Sequence, residues 1–310
     1  MNPPESPPAA PANATADLTL GVVTTNYNTW SLAARCLEHV LPYSHGIDEL
    51  LLVDDASSEP QTAVIDPRVR IVRNSVNLGL AATLNRALAS LETDIVVIFD
   101  SDAYPLNDFT GPLRDLFRNE ARLAAVGFAT VDEDGRPTES AAPPPTVLRF
   151  ILGPRVDAAM THHPPGEDSA DINLFSCAVA LRRQTVLDLG GFDEAYDWLD
   201  LDHDLSMRLR SAAWALRYAP SLKAFHRGSG APQRASARVL RHYQNRWHLL
   251  RKFGLVSHPV IAKWLVVCRL TIELVLASLL AWLPGTRSIE WRDRAAGRRA
   301  VLSYCLRHYR

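Results

Sequence analysis

Three apolar segments, each followed directly by polar or acidic residues, constrain the fold of this chain more than any other feature. The segments and the polar residues after them are 18–23 with Thr24–Asn28, 49–53 with Asp54–Asp55, and 94–99 with Asp100–Asp102. Segments 31–40 and 78–91 space their apolar residues as helices do, and 69–72 is a further short strand. Strands that are apolar throughout and alternate with helices indicate a parallel sheet covered by helices. We therefore predict an α/β fold.

The polar residues at the ends of these strands indicate where a ligand binds, because ligands of α/β sheets bind at the carboxyl ends of the strands. We expect all three polar groups to converge on one edge of the sheet. The glycine-rich turn of dinucleotide-binding proteins is absent after the first strand, where the sequence is TTNYNTW, and no GxxxxGK[ST] phosphate loop occurs in the chain. Any phosphate bound at this edge therefore lacks a glycine cradle.

Asp100 and Asp102 offer another way to hold a phosphate. Carboxylates alone would repel it, but a divalent cation between them and a diphosphate removes the repulsion. Two carboxylates with period-2 spacing at a strand end form a hard-oxygen site that suits Mg²⁺ or Mn²⁺. Acidic residues are also common at strand ends without a metal, so this tripeptide alone leaves both interpretations open.

Six motifs and a later histidine, taken in order, resemble those of the family 2 glycosyltransferases. They are Thr24–Asn28, Val53–Ser57, Asn77–Gly79 with Asn85, Asp100–Asp102, Gly190–Glu194, Leu201–Leu209 and then His226. The resemblance extends from Leu18 to about Phe253 and implies nucleotide-sugar donors and the GT-A fold, a Rossmann-like mixed sheet flanked by helices, with a C-terminal helical extension here. The run Tyr243–Trp247 and the basic, apolar segments after it resemble the rhamnosyltransferase-like subgroup.

The resemblance also implies which residues bind the donor: Thr25, Tyr27, Asp55, Asn77, Gly79, Asp100 and Ser101. Tyr27 would stack on the base and Thr25 would bond its edge, although both also suit an ordinary polar loop. Asp55 would accept a hydrogen bond from N3–H of uracil or thymine, or else cap the helix that follows. Asn77 could simply be an N-cap, and Gly79 would let the backbone approach the donor.

A metal site is implied at Asp100, Asp102 and His226. Asp102 would be the principal ligand, Asp100 would bond the metal or the sugar and ribose of the donor, and His226 would complete the shell. A histidine ligand favours Mn²⁺ over Mg²⁺, but both ions remain open as cofactors. The ion would neutralise the charge that builds on the departing diphosphate.

Asp202 is the predicted catalytic base, because an inverting displacement at the anomeric carbon needs one carboxylate to take the proton of the acceptor hydroxyl. The family commonly has Glu-Asp-x-Asp where this chain has Leu201–Asp204, so the first acid of the motif is missing. Asp200 is the rival base. Trp198, Asp200 and Asp204 are the predicted acceptor contacts, and Asp204 could instead be the N-cap of the helix after it.

The C-terminal part differs from the rest of the chain in charge. The net charge is −1, yet residues 231–310 contain 15 Lys and Arg against three Asp and Glu, and residues 1–230 contain 18 against 31. We predict an amphipathic helix over 261–283, with one polar stripe of Lys263, Arg269 and Glu273, lying on an anionic membrane surface. A terminal helix packed on the core or on a second subunit is the alternative.

The basic residues of 231–310 indicate no partner other than lipid. The basic residues are not interleaved with an RNA or DNA motif, so we expect no nucleic acid partner. The sequence does not determine the oligomeric state.

The chain is predicted to have three regions. They are a disordered Pro/Ala-rich leader at 1–17, a catalytic domain at 18–230 with a nucleotide-binding half (18–105) and an acceptor-binding half (106–230), and the basic helical extension at 231–310. The leader lacks the features of a signal peptide and the four cysteines include no CxxC pair, so we expect a cytoplasmic protein, peripheral on the inner face of the cytoplasmic membrane. Residues 132–170 are predicted to form a mobile acceptor-side loop, in which His162 and His163 are loop residues rather than a metal pair.

These observations predict a metal-dependent inverting glycosyltransferase. It would move a sugar, with L-rhamnose as the first candidate, from a UDP- or dTDP-sugar to a hydroxyl of a lipid-linked or polysaccharide acceptor in cell-envelope or exopolysaccharide synthesis. One alternative is a nucleotidyltransferase that makes nucleotide sugars, but that class needs a loop rich in Gly and Arg or Lys after the first strand. The other is a non-catalytic sugar-binding member of the fold, which would have lost the DxD motif or the base.

Overall fold

The chain forms two compact units, according to a computed structural model that describes residues 17–161, 171–227, 235–282 and 288–309. The described residues of the sheet unit are 17–144 and 171–227. Those of the helical unit are 145–161, 235–282 and 288–309. Residues 1–16 of the predicted leader lie outside the described residues, as do residues 162–170 of the predicted acceptor-side loop, which include the His162-His163 pair. The rest of that loop, 132–161, is described and contains the strand Ala141–Ala142 and the helices Val147–Leu152 and Pro154–Thr161, so the prediction of a continuous loop is wrong there.

Ten strands occur in the described part of the chain, eight of them in one sheet. They are β1 (Leu20–Asn26), β2 (Glu49–Asp54), β3 (Arg70–Arg73), β4 (Ile95–Phe99), β5 (Ala103–Pro105), β6 (Leu123–Val131), β7 (Ala141–Ala142), β8 (Asn173–Leu174), β9 (Ala178–Arg182) and β10 (Ala215–His226). The sheet order is β3-β2-β1-β4-β9-β6-β10-β5, and β7 pairs with β8 separately. The predicted strands at 18–23, 49–53, 69–72 and 94–99 are β1 to β4.

The helices divide between the two units. Those of the sheet unit are α1 (Trp30–Val40), α2 (Leu80–Ser90), α3 (Thr110–Asn119), α6 (Arg183–Asp188) and α7 (Leu201–Ser211), with a 3-10 helix at Leu41–Gly46. Those of the helical unit are α4 (Val147–Leu152), α5 (Pro154–Thr161), α8 (Ala235–Lys252), α9 (Pro259–Leu280) and α10 (Ser288–His308). The predicted helices at 31–40 and 78–91 are α1 and α2.

The sheet is parallel in its first half and mixed in its second. β2 pairs in parallel with β1 and β3, and β1 pairs in parallel with β4. The strand β9 then runs antiparallel between β4 and β6. β10 is parallel to β6 but antiparallel to the short β5. This is the α/β architecture that the apolar segments predict, with the mixed sheet that the family resemblance implies.

Aromatic side chains fill the core between the sheet and α3. The rings of Phe99 and Phe128 meet edge to face at 5.4 Å, and Phe109 meets Phe99 in the same way at 5.7 Å. All three are fully buried, as are the apolar side chains of β4. Burial on both faces explains why β4 reads as a continuous apolar run rather than as an alternating one.

The helical unit has a core of its own. Phe150, Tyr243, Trp247 and Tyr309 belong to one buried cluster, in which the Trp247 and Tyr309 rings stack at 4.0 Å. The hydroxyl of Tyr309 donates a hydrogen bond of 2.7 Å to the backbone oxygen of Tyr243. The end of α10 is thereby held against α8, so the last described residues are part of this core.

The predicted amphipathic helix is α9, and its polar stripe faces the other helices of its own unit. Lys263 Nζ donates to the Leu306 oxygen at 3.0 Å, and Arg269 Nε donates to the Ile151 oxygen at 2.6 Å. Glu273 forms ion pairs with Arg269 and Arg298. Across the part of the chain that is described, no helix has the length and apolar character needed to cross a membrane.

Candidate active site

Three neighbouring strands bring their polar ends together, as the sequence predicts. β1 lies between β2 and β4, so all three end on the same edge of the sheet. Asn26 Nδ2 donates to Asp54 Oδ1 at 2.7 Å, which joins the ends of β1 and β2. Thr29 Oγ1 donates to Ser101 Oγ at 3.1 Å, which joins the loop after β1 to the loop after β4. The three polar groups therefore form one continuous site.

Of the two acids at the end of β2, Asp54 is structural. Its carboxylate is fully buried, accepts a hydrogen bond of 2.5 Å from Ser57 Oγ, and lies 3.2 Å from Arg73 Nε. Together with the hydrogen bond from Asn26, these contacts occupy the Asp54 carboxylate and hold the loop that starts at Asp55 in place. The neighbouring side chain is thereby aimed at the segment before α2.

Asp55 holds the segment that leads into α2. It accepts hydrogen bonds from Asn74 Nδ2 at 2.8 Å, from the Leu78 backbone N at 2.8 Å and from the Gly79 backbone N at 3.0 Å. A carboxylate has about four acceptor positions, so one remains for a ligand donor. The predicted contact with a nucleobase thus stays possible, but it would be made by a group that already organises the protein.

The start of α2 differs from one prediction. Its N-cap is Gly79, with φ at 84°, and Asn77 lies exposed two residues earlier. The N-cap interpretation of Asn77 is therefore wrong. Glycine is required at position 79 because its φ lies in the left-handed region, which side chains with a Cβ rarely adopt.

The residues predicted to meet the nucleoside lie at the end of β1. Thr25 is half-buried within the strand, and Tyr27 comes directly after it. The side chain of Tyr27 is 51% exposed. An open aromatic ring at this edge is available to stack on a planar ligand.

Asp100, Asp102 and His226 come together as a cluster. One ligand atom of each lies within 4.8 Å of the other two, and His226 Nε2 is 3.8 Å from Asp102 Oδ1. The strands explain this proximity, because β10 pairs with β5 so that His226 lies opposite Ala103, the residue after Asp102. The backbone N of Arg227 also donates to the backbone oxygen of Asp102 at 3.2 Å.

The cluster has the properties of a divalent cation site. Two carboxylates and an imidazole are a donor set that Mn²⁺ and Mg²⁺ accept. His226 Nδ1 is buried and has no hydrogen-bond partner among the described residues. Burial and the negative charge of Asp102 raise the pKa of Asp100 to about 6, although the neighbouring His226 lowers it. A cation between these groups would relieve the cost of burying the carboxylate.

Two buried cysteines flank this cluster without joining it. The backbone oxygen of Cys177 accepts from the backbone N of Asp100 at 3.1 Å. Burial raises the pKa of the Cys177 thiol, and it raises the pKa of Cys36 to about 12. Both thiols are therefore neutral near pH 7, and a neutral thiol is a poor metal ligand and nucleophile.

Asp202 lies in the first turn of α7. Its Oδ1 accepts a hydrogen bond of 3.0 Å from the Ser176 backbone N. Burial raises the pKa of Asp202 to about 7, the Ser176 bond opposes the rise, and the negative charges of Asp100 and Asp200 add to it. A carboxylate that titrates near neutral pH suits a general base. No sequence motif indicates Ser176, because its contact with Asp202 arises only in the folded chain.

The other acids of this segment have different roles. Asp200 is the N-cap of α7, with φ at 67°, and makes no side-chain cap bond. The helix begins at Leu201, so the N-cap interpretation of Asp204 is wrong. The Asp204 carboxylate is fully buried and accepts from Arg208 Nε at 2.6 Å. This burial makes Asp204 part of a structural ion pair rather than the predicted acceptor contact. Trp198 is half-buried, and its contact with the acceptor stays a prediction.

A stack of aromatic side chains, which the sequence does not predict, joins the two strands next to the cluster. The Tyr104 ring stacks between His39, at 3.9 Å, and Phe225, at 4.6 Å. Arg35 Nη2 donates to the Tyr104 hydroxyl at 3.0 Å. Tyr104 is in β5 and Phe225 in β10, so the stack holds together the two strands that place Asp102 beside His226. Arg35 and His39 lie in α1, far in sequence from Tyr104 and Phe225, and the four residues form no recognisable motif.

Comparisons with known proteins find similarity to glycosyltransferases. Residues 21–166 match the family model Glycosyl transferase family 2. N-acetylglucosaminyl-diphospho-decaprenol L-rhamnosyltransferase of Mycobacterium tuberculosis is 29% identical over 202 residues, which are 57% of this chain and 66% of that relative. The aligned part thus spans slightly less than two thirds of the relative's length.

Solved structures show the same fold. GalNAc-T7, crystallised with UDP, GalNAc and Mn²⁺, matches with a TM-score of 0.55 at 16% identity over 94% of this chain and 56% of its own. Mannosyltransferase PcManGT from Pyrobaculum calidifontis, in complex with GDP-Man and Mn²⁺, matches with a TM-score of 0.53 at 16% identity over 99% of this chain and 92% of its own. At such identity the likeness concerns the GT-A fold alone. Residues 21–166 of this chain, slightly less than half of it, are thus similar to glycosyltransferase family 2, on a fold that solved glycosyltransferases share.

Proposed function

We propose that this chain is a metal-dependent inverting glycosyltransferase that uses a UDP- or dTDP-sugar. The observation that carries the proposal is the presence, on one edge of the sheet, of the Asp100, Asp102 and His226 cluster and of Asp202. The cluster can hold a cation, and Asp202 can take a proton. These are the two functions that a direct displacement at an anomeric carbon requires.

Asp102 and His226 would hold the ion, with Asp100 shared between the ion and the donor. When bound, a Mn²⁺ or Mg²⁺ ion supplies a Lewis acid that offsets the charge of the departing diphosphate. Tyr27 would stack on the base and Thr25 would bond its edge, while Asp55 would accept from N3–H of uracil or thymine. Asn77, Gly79 and Ser101 would contact the rest of the donor.

Asp202 would remove the proton of the acceptor hydroxyl as that oxygen attacks the anomeric carbon. One displacement, with no covalent intermediate on the protein, inverts the configuration at this carbon. Ser176 bonds the Asp202 carboxylate through its backbone N–H, at 3.0 Å from Oδ1, and through its hydroxyl, and would hold this carboxylate in place for the acceptor. Trp198 would form a wall of the acceptor or donor sugar site, and Asp200 would line it.

For the substrates, we propose L-rhamnose as the donor sugar and a lipid-linked or polysaccharide acceptor in envelope or exopolysaccharide synthesis. The support is the Mycobacterium tuberculosis relative, whose name gives a rhamnosyl transfer to a diphospho-decaprenol-linked sugar. The run Tyr243–Trp247 is the further likeness to that subgroup. A lipid-linked acceptor would place the protein at the inner face of the cytoplasmic membrane, on an anionic surface.

The two alternative functions lack support at the site. A nucleotidyltransferase needs a loop rich in Gly and basic residues after β1, where this chain has TTNYNTW. A non-catalytic member of the fold would have no reason to retain the DxD acids, the late histidine and Asp202 together.

A thermal-shift experiment tests the donor proposal directly, because a ligand that binds the native state raises the melting temperature. UDP-, dTDP- and GDP-sugars are compared with Mn²⁺, with Mg²⁺ and with EDTA. We expect UDP- or dTDP-sugars to stabilise the protein with a divalent ion and to have little effect in EDTA. Stabilisation by GDP-sugars alone, or stabilisation that EDTA leaves unchanged, would contradict the proposal.

A further inference from the structure

One side of α9 is apolar, uncharged and exposed. We call it the α9 face and define it by Ile261, Trp264, Ile272, Leu276, Leu279 and, just beyond the helix, Trp282. Their side chains are 53% to 89% exposed. At 100° per residue these six fall within an arc of about 120°. A row of large apolar side chains along a helix of 22 residues is unusual on a protein surface and marks a site of interaction.

The charged residues of α9 do not reach this face. Lys263, Arg269 and Glu273 lie outside this arc, with Arg269 next to its edge, and each bonds to α4, α8 or α10 of the same unit. Gly153 shows how closely Arg269 is packed, because a Cβ there would lie 2.6 Å from Arg269 Nη1. The polar stripe thus anchors α9 to the helical unit, so the helix cannot rotate to hide its apolar face without breaking these bonds.

The charge of the C-terminal segment that contains the α9 face decides between the possible occupants of this face. Residues 231–310 contain 15 Lys and Arg against three Asp and Glu. Exposed basic residues come shortly before α9, at Arg251 and Lys252, and lie along α10, at Arg292 and Arg294. A second copy of the chain would bring the same positive charge, so pairing through this face would join like charges. An anionic lipid surface would attract them.

We infer that the α9 face inserts into the interfacial layer of an anionic membrane, with the helix lying parallel to the surface. The apolar side chains would enter the boundary between headgroups and acyl chains, and the basic residues would contact the headgroups. Trp264 and Trp282 suit this depth, because tryptophan is enriched at membrane interfaces. This inference rests on the proposed membrane location and names the residues that would contact the lipid. These residues belong to the helical unit, whereas the proposed substrate-binding residues belong to the sheet unit.

The first experiment is co-sedimentation of the full-length chain with vesicles of phosphatidylcholine alone or with about one third phosphatidylglycerol. We expect binding to the anionic vesicles that falls at least about tenfold in Ile272→Glu/Leu276→Glu, because two carboxylates would enter the interface. The matched control is Val64→Glu/Ile71→Glu, which adds the same charge at two exposed apolar residues of the sheet unit. Binding of the α9 variant at the level of the parent would overturn the inference.

The native chain supplies a second measurement that needs no substitution. Cys268 is exposed, whereas the other three cysteines are buried, and its position on the helix falls between those of Trp264 and Ile272. A water-soluble maleimide should label Cys268, and anionic vesicles should slow that labelling several-fold while phosphatidylcholine vesicles should not. Equal rates with and without anionic vesicles would contradict insertion.

Two further outcomes separate the explanations. If labelling slows with protein concentration in the absence of vesicles and light scattering gives twice the mass, the face is a dimer interface and the inference is wrong. Donor binding, measured by thermal shift without vesicles, should be the same in the parent and in both double-Glu variants. A parent chain that binds the donor but not anionic vesicles would remove this inference alone, and a parent chain that binds anionic vesicles but no donor would remove the proposed function alone.

Discussion

His226 Nε2 lies 3.8 Å from Asp102 Oδ1, although the two residues are far apart in sequence. The antiparallel pairing of β5 with β10 sets this distance, because it places His226 opposite Ala103. The position of a metal ligand is therefore a consequence of strand register. A slip of one residue in this pair would turn the imidazole to the other face of the sheet.

The first prediction concerns this cluster. In Asp102→Ala, affinity for Mn²⁺ in the presence of UDP or dTDP should fall by about 100-fold or more, because the principal oxygen ligand is lost. Donor affinity should fall with it, since the diphosphate would then face Asp100 alone. Calorimetry of Mn²⁺ and nucleotide binding measures both. Asp134→Ala, an exposed acid in the sheet unit, is the control, and unchanged Mn²⁺ affinity in Asp102→Ala would place the metal elsewhere.

The second prediction separates Asp202 from the metal site. Asp202→Asn should reduce kcat by about 10²–10⁴-fold, which is the usual contribution of a general base. Donor and Mn²⁺ affinity should remain close to those of the parent, because Asp202 bonds Ser176 rather than the cluster. Single-turnover transfer assays and calorimetry give the two quantities. Transfer at the parental rate would show that Asp202 is not the base, and Asp200→Asn would then be the variant to examine.

The same substitution should stabilise the protein at high pH. Burial raises the pKa of Asp202 to about 7 from an ordinary value near 4, so the folded state binds a proton that the unfolded state has released. Stability therefore falls as pH rises through this window, and the folded protein carries a buried charge above it. Asn carries none. The melting temperature of Asp202→Asn should exceed that of the parent at pH 8, and the difference should shrink at pH 5; a constant difference would indicate a packing effect instead.

The activity of the parent should also depend on pH in a defined direction. The base must be ionised, so kcat/KM should rise about tenfold per pH unit below the pKa of Asp202 and level off above it. Part of the raised pKa comes from the negative charge of Asp100. A cation at the cluster would cancel that charge, and the midpoint of the metal-loaded enzyme should therefore lie below 7. A rate that decreases over this range would indicate that a protonated group is required.

The sequence predicts the first half of the sheet well because that half is local. Each of β1, β2 and β4 is a continuous apolar segment whose pairing follows from chain order and parallel packing. β9 gives no comparable signal, because its antiparallel place between β4 and β6 depends on partners far away in sequence. The acids of the site were recognisable as motifs, whereas the backbone N–H of Ser176 was not.

The helix α9 shows a second limit of sequence patterns. Its periodicity correctly indicates one polar stripe on an apolar helix, but not which side faces the protein. Hydrogen bonds with other helices decide this. Arg269 donates to the Ile151 oxygen and to the Tyr243 hydroxyl, and Arg298 donates to Glu273. The apolar side is left exposed as a result.

The last prediction tests the role of Asp204. Its buried carboxylate binds Arg208, which also donates to the backbone oxygens of Leu189 and Gly191 at 2.9 and 2.6 Å. Asp204→Asn should lower the free energy of unfolding by about 3 kcal/mol, because a largely buried arginine loses its counter-ion. The acceptor KM should hardly change in the folded fraction. Replacing both partners, Asp204→Leu with Arg208→Met, should recover part of the stability in urea denaturation, since no unpaired charge remains. An unchanged urea midpoint with a raised acceptor KM would instead show that Asp204 contacts the acceptor.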